Sequence, residues 1–173
     1  MARRTAQDAT ETAATLTRNS SGDEGRKALV AIYLDASVVV PLFADEARTE
    51  LVQAFLTAND EALRISDFTA LEVASAFSRL VRERVYTDDD AHNALTEFDR
   101  WRDGAAQMLP VETADIAMAD GFVRRFDTKL RPGDALHLAV ATRRDCRVVT
   151  ADRAMAAAAA LLQVDHLLLG EQR

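Results

Sequence analysis

One cysteine, three prolines, three histidines and an aromatic share of 6% are all that 173 residues provide of those types. The lone thiol, Cys146, excludes an internal disulfide and a cysteine-based zinc site. Within RDCRVVT, at the start of an apolar β-type run, it suits a small buried hydrophobe. Lysine is almost missing too: 19 of the 21 basic residues are arginine, whose planar guanidinium grips phosphate bidentately where ammonium acts as a point charge. No run of about 18 uncharged apolar residues occurs, which excludes a transmembrane helix. The start MARRTAQDATETAATLTRNSS has no apolar signal region, so a soluble, cytoplasmic protein is expected. A net charge of −7 argues against a domain that coats nucleic acid by bulk electrostatics.

What is present is enough apolar residue, 49%, for one sizeable α/β core and too short a chain for two. Residues 1–29 are polar, rich in Thr, Ala and Ser, and lack apolar periodicity, so they read as a disordered extension. A domain is expected over 30–173. Its first strand is AIYL, a buried parallel type ending at Asp35. A helix is expected through LFADEARTELVQAFL, then a strand at LRIS and a long helix through DFTALEVASAFSRLVRER capped by Ser66 or Asp67. Thr87 with Asp88, Asp89 and Asp90 marks another helix start, since carboxylates favour the positive end of the helix dipole. A third strand falls near QMLPV, and Thr113 is expected to cap the next helix. The apolar helix in RPGDALHLAVATRR, a strand in CRVVTAD, a helix in DRAMAAAAALL and an edge strand in VDHLLL complete the chain. Strands alternating with helices imply a three-layer α/β/α sandwich around a parallel sheet of four to five strands.

In such sheets ligands bind beyond the carboxyl ends of the strands, where strand order reverses. Asp35 ends the first strand and Asp152 follows the fourth, so both are directed to one edge. Glu72, within TALEVASAF, flanks the buried stripe of its helix, and Asp134 opens the apolar helix after Pro132-Gly133; both stand in apolar company, where an unpaired carboxylate is expensive. Taken singly, each has a structural explanation as a cap or a solvated helix residue. His137, one turn from Asp134, reads as a core histidine with a hydrogen-bond partner.

YLDASVVV, SDFTALEVASAF, RPGDALHLAVA and VVTAD in this order resemble the PIN-domain family, and more closely its VapC-type toxin ribonucleases, over about residues 31–169. The resemblance implies that Asp35, Glu72, Asp134 and Asp152 are an acidic metal-binding quartet, supported by the hydroxyls of Ser37 and Thr150. It also implies a homodimer held inactive by a VapB-type antitoxin. The physics points the same way: two carboxylates about 5 Å apart repel by roughly 3 kcal/mol at an effective dielectric near 20. Oxygen-only ligands suit Mg²⁺ or Mn²⁺. The expected activity is metal-dependent endoribonuclease hydrolysis, with Arg79, Arg82, Arg143, Arg144 and Arg153 as candidates for holding RNA. The alternative is a non-catalytic acidic-pocket binding or signalling module. Receiver domains and haloacid-dehalogenase-type phosphatases expect a pocket lysine, and the only lysines are Lys27 and Lys129.

Overall fold

The computed structural model describes residues 31–44 and 47–170; the expected extension over 1–29 lies outside the described residues. In chain order they form β1 (Ile32–Leu34), α1 (Ala36–Val39) running into a 3-10 turn (Val40–Leu42), α2 (Thr49–Ala58), β2 (Leu63–Ser66), α3 (Asp67–Arg82) and α4 (Asp88–Ala105). There follow β3 (Gln107–Leu109), α5 (Thr113–Val123), a 3-10 turn (Phe126–Thr128), α6 (Pro132–Thr142), β4 (Arg147–Thr150), α7 (Arg153–Leu162) and β5 (His166–Leu168).

All five strands pair in parallel in the order β3-β2-β1-β4-β5. The chain builds outward from β1 to β3, then crosses back through α5 and α6 to place β4 on the other side of β1. Strand order therefore reverses between β1 and β4, and the crevice beyond their carboxyl ends is the natural ligand position. Period-two alternation divides the strand side chains between two cores. Ile32, Leu34, Ile65 and Val149 pack with Val73, Phe77, Phe98 and Trp101 from α3 and α4. Tyr33 and Val148 pack with Leu138, Val140, Met155 and Ala159 from α6 and α7. The three-layer sandwich is thus as the alternation implied. Among the described residues no helix is long and apolar enough to cross a membrane.

Two caps follow the sequence reading: Ser66 Oγ accepts the Thr69 amide at 3.1 Å, and Thr87 Oγ1 accepts that of Asp90 at 3.1 Å. Two local expectations need correction. The helix expected over 42–56 is instead a short α1 with its 3-10 turn at 36–42, and α2 starts only at Thr49. Thr49 Oγ1 donates to the carbonyls of Pro41 at 2.7 Å and Ala44 at 3.2 Å, fastening the break between them. Thr113 is not the cap of α5 but its first residue; Glu112 precedes it and donates its N–H to Asp115 Oδ2 at 2.7 Å.

Asp115 is fully buried, and its Oδ1 accepts from the guanidiniums of Arg143 and Arg144. Burial works against its charged form, yet the Glu112 N–H and the two arginines outweigh that and hold its carboxyl below the usual range. Arg143 and Arg144 also reach Glu112 at 3.2 Å each, so this network ties the start of α5 to the end of α6.

Candidate active site

Asp35 is placed by the chain's exit from β1. Its own backbone is extended, its N–H bonds the Val149 carbonyl at 3.3 Å, and its carbonyl begins α1. The carboxylate is 4% exposed and pinned by two hydroxyls: Ser37 Oγ donates to Oδ1 at 2.7 Å, and Thr150 Oγ1 donates to Oδ2 at 2.8 Å. Each hydroxyl is itself fixed by a backbone amide from the chain leaving β4, Ala151 N–H on Ser37 Oγ at 2.8 Å and Asp152 N–H on Thr150 Oγ1 at 3.0 Å. Serine and threonine can donate and accept at once, which is why these positions take hydroxyls. Burial pushes the Asp35 carboxyl up, opposed by His137 and by the hydrogen bonds from Ser37 and Thr150.

Asp152 caps α7, its Oδ1 accepting from Ala154 N–H at 2.6 Å and Met155 N–H at 3.1 Å. Asp134 lies in the first turn of α6 and is half-buried. Burial and the charge of Asp152 raise its carboxyl above the usual range, against the Arg131 backbone N–H, His137 and the Arg131 side chain. Asp134 and Asp152 are therefore electrostatic neighbours. Glu72 comes from the second turn of α3, and its Oε1 stands 3.5 Å from where a Cβ on Gly133 would lie, so α3 and the start of α6 meet at this carboxylate.

A buried chain of hydrogen bonds leads inward from Glu72. Glu72 Oε2 lies 2.5 Å from His137 Nε2, and His137 Nδ1 lies 2.7 Å from the Tyr33 phenol, which also touches Ser66 Oγ at 2.7 Å and Thr69 Oγ1 at 3.1 Å. For a neutral ring beside a carboxylate that only accepts, Nε2 carries the proton and Nδ1 accepts from the phenol. Burial drives the Tyr33 phenol far up, countered by Ser66 and Thr69 and reinforced by the charges of Asp35 and Glu72. It stays a neutral donor. The sequence reading anticipated a partner for His137 but missed Tyr33; its signal was a tyrosine inside a wholly buried strand, where a hydroxyl needs a partner. Tyr33→Phe leaves Nδ1 unpaired and is expected to cost about 1–2 kcal/mol in chemical unfolding.

All four predicted acids thus border one rim of the sheet, with Ser37 and Thr150 among them. Of the five arginines expected to hold RNA, Arg153 is the one beside the rim, exposed as the first residue of α7. Arg79 and Arg82 occupy the last turn of α3, where Arg82 donates to Ser78 Oγ at 2.7 Å. Arg143 and Arg144 follow α6 and so lie about 15 Å along that helix from Asp134, engaged by Asp115 and Glu112. Arg131, which the sequence reading passed over, is exposed and next to Asp134.

The PIN-domain family model matches residues 32–161. The chain belongs to the PIN-domain family. No curated protein matches it. Solved structures similar to this PIN domain include VapC20 of Mycobacterium tuberculosis, described as a sarcin-ricin loop cleaving toxin. The two are 18% identical with a TM-score of 0.61, and the match covers 74% of this chain and 95% of that one. VapBC2 of Rickettsia felis, bound to a DNA fragment from its promoter, is 10% identical, TM-score 0.61, covering 81% and 99%. FitAcB of Neisseria gonorrhoeae is 19% identical, TM-score 0.58, covering 79% and 96%. At these identities the likeness is one of fold.

Proposed function

We propose that this PIN domain is a metal-dependent endoribonuclease and the toxin of a toxin–antitoxin pair. The observation that carries the reading is Asp35: a buried carboxylate held by two amide-fixed hydroxyls at the strand-order reversal, with Glu72, Asp134 and Asp152 around it. A carboxylate so preorganised, with one hydroxyl on each oxygen, keeps acceptor capacity for an electrophilic partner.

Among the described residues no three carboxylate, imidazole or thiol side chains form a ready-made metal cage. Glu72 is engaged by His137, and Asp152 by the amides of α7. The donor chemistry nonetheless fits a hard cation. The rim offers carboxylate oxygens and no thiolate, and Asp134 is already strained by the charge of Asp152, a repulsion that a cation relieves. Asp35, Asp134 and Asp152 would hold Mg²⁺ or Mn²⁺, with Glu72 beside them. Such an ion lowers the pKa of bound water and offsets charge on a phosphate. The protein's part is to orient. Ser37 and Thr150 fix the Asp35 oxygens, and His137, itself held by Tyr33, fixes Glu72. In-line attack by water then breaks the P–O3′ bond and leaves 5′-phosphate and 3′-hydroxyl ends.

The sarcin-ricin loop cleaving toxin and the VapBC2 structure that share the fold support a cognate antitoxin as partner, and an acidic rim suits a basic segment of it. A homodimer and a cytoplasmic site of action belong to the same reading. The test is incubation of the purified protein with total RNA in Mg²⁺ or Mn²⁺, with end-mapping of products. New 5′-phosphate ends that vanish in EDTA are expected; RNA left intact under all metals refutes the assignment.

A further inference from the structure

The segment Arg124-Arg125-Phe126-Asp127-Thr128-Lys129-Leu130-Arg131 carries four cations against one carboxylate in a chain of net charge −7. At its centre Phe126 is 86% exposed, the most exposed large apolar side chain among the described residues. It is not the tip of a slack loop. The 3-10 turn packs on α5 and α7, Thr128 is buried, and Thr128 Oγ1 donates to the Arg125 carbonyl at 2.7 Å while accepting the Leu130 N–H at 3.4 Å. Leu130 is anchored among the core residues beneath. Arg124 pairs with Asp120 at 2.6 Å and Arg125 grips Asp127 through two bonds of 3.1 and 2.8 Å, whereas Lys129 and Arg131 form no ion pair among the described residues. Arg131 leads directly to Asp134.

From this placement we infer that residues 126–131 form a single-stranded RNA ledge, on which a base stacks against Phe126 while Lys129 and Arg131 take the phosphates leading to the acids. The choice of ligand rests on the ribonuclease reading. A braced aromatic ring flanked by unpaired cations is the combination that binds single strands: the ring offers a face that any base can cover, and the cations follow the backbone. Charge favours this occupant. A protein partner fitted to the ring alone leaves Lys129 and Arg131 unexplained, and a second copy brings a surface of the same net negative sign but no periodic phosphates.

The experiment uses the full chain carrying Asp35→Asn, so that RNA is bound without being cut, and a fluorescein-labelled single-stranded RNA of mixed sequence read by anisotropy. Phe126→Ala is expected to raise Kd roughly tenfold. Phe126→Trp is expected to restore affinity and to report stacking as quenching of an exposed indole, since the native Trp101 is only 1% exposed. Lys129→Gln is expected to reduce the slope of log affinity against log salt by about 0.7. Because the Phe126 ring is exposed, none of these changes should alter thermal unfolding. Unchanged RNA affinity in Phe126→Ala overturns the ledge, and so does a loss confined to oligomer mass or to binding of a protein partner. A protein that cuts RNA with or without Phe126 keeps its ribonuclease reading and loses only the ledge. One that binds RNA through Phe126 without ever cutting it does the reverse.

Discussion

Asp35→Asn is expected to lower RNA cleavage by more than about 100-fold while leaving the protein folded and, without metal, no less stable. Changes to residues that merely orient a metal ligand cost about 10–100-fold, so a change to the carboxylate itself should exceed that range. The stability half of the prediction separates chemistry from folding. Burial holds the Asp35 proton more tightly in the folded protein than in the unfolded chain. For an acid raised in this way, stability falls as pH climbs from the unfolded value, about 3.9, through the folded one. At neutral pH the ionised group therefore costs stability, and asparagine removes that cost. Ser37 and Thr150 can turn their hydroxyls to suit an amide. A cleavage assay checks the first part, and thermal unfolding with and without Mg²⁺ the second. The ion should stabilise the parent by about 2.7 kcal/mol at a hundredfold excess over Kd, raising its melting temperature, and have little effect on the variant. A variant that still cuts, or a parent indifferent to metal, removes Asp35 from the proposed site.

Asp115→Ala is expected to be the most damaging change far from the acids, costing about 2–3 kcal/mol and lowering the melting temperature by roughly 5–10 °C. The carboxylate is wholly buried and serves the Glu112 N–H and two guanidiniums together. Its removal strands those donors at the junction of α5 and α6. Arg143 and Arg144 retain partial exposure of 26% and 18%, and water recovers part of their loss, which keeps the figure below that of a sealed pair. The pH dependence has a definite sign. The folded pKa of Asp115 is depressed, so its contribution is complete above the unfolded value of about 3.9 and is lost as pH falls through the lower folded value. The gap between parent and variant in urea titrations should be full at pH 7 and narrow below pH 4. An equal gap at every pH would falsify the charged role of Asp115. RNA cleavage per folded molecule should hardly change, because this network sits at the far end of α6 from Asp134.

The sequence by itself determined the architecture. Strand-length apolar runs alternating with helical stretches admit little besides a parallel sheet covered on both faces, and short polar caps such as Ser66 and Thr87 act within a turn of where they stand. Asp35 and Asp152 were legible because position at a strand end fixes which edge an acid serves. The exceptions were also local: α2 begins late because the Thr49 hydroxyl fastens Pro41 and Ala44, a choice no periodicity records. What only the tertiary structure decided was partnership across long separations. Tyr33 meets Ser66, Thr69 and His137; Glu72 meets His137; Asp115 claims Arg143 and Arg144. Sequence patterns carry face and period, which are properties of one element. Whether an arginine is paired with a buried carboxylate depends on how two elements pack, and that is why the hold of Asp115 on Arg143 and Arg144 could not be read from the sequence.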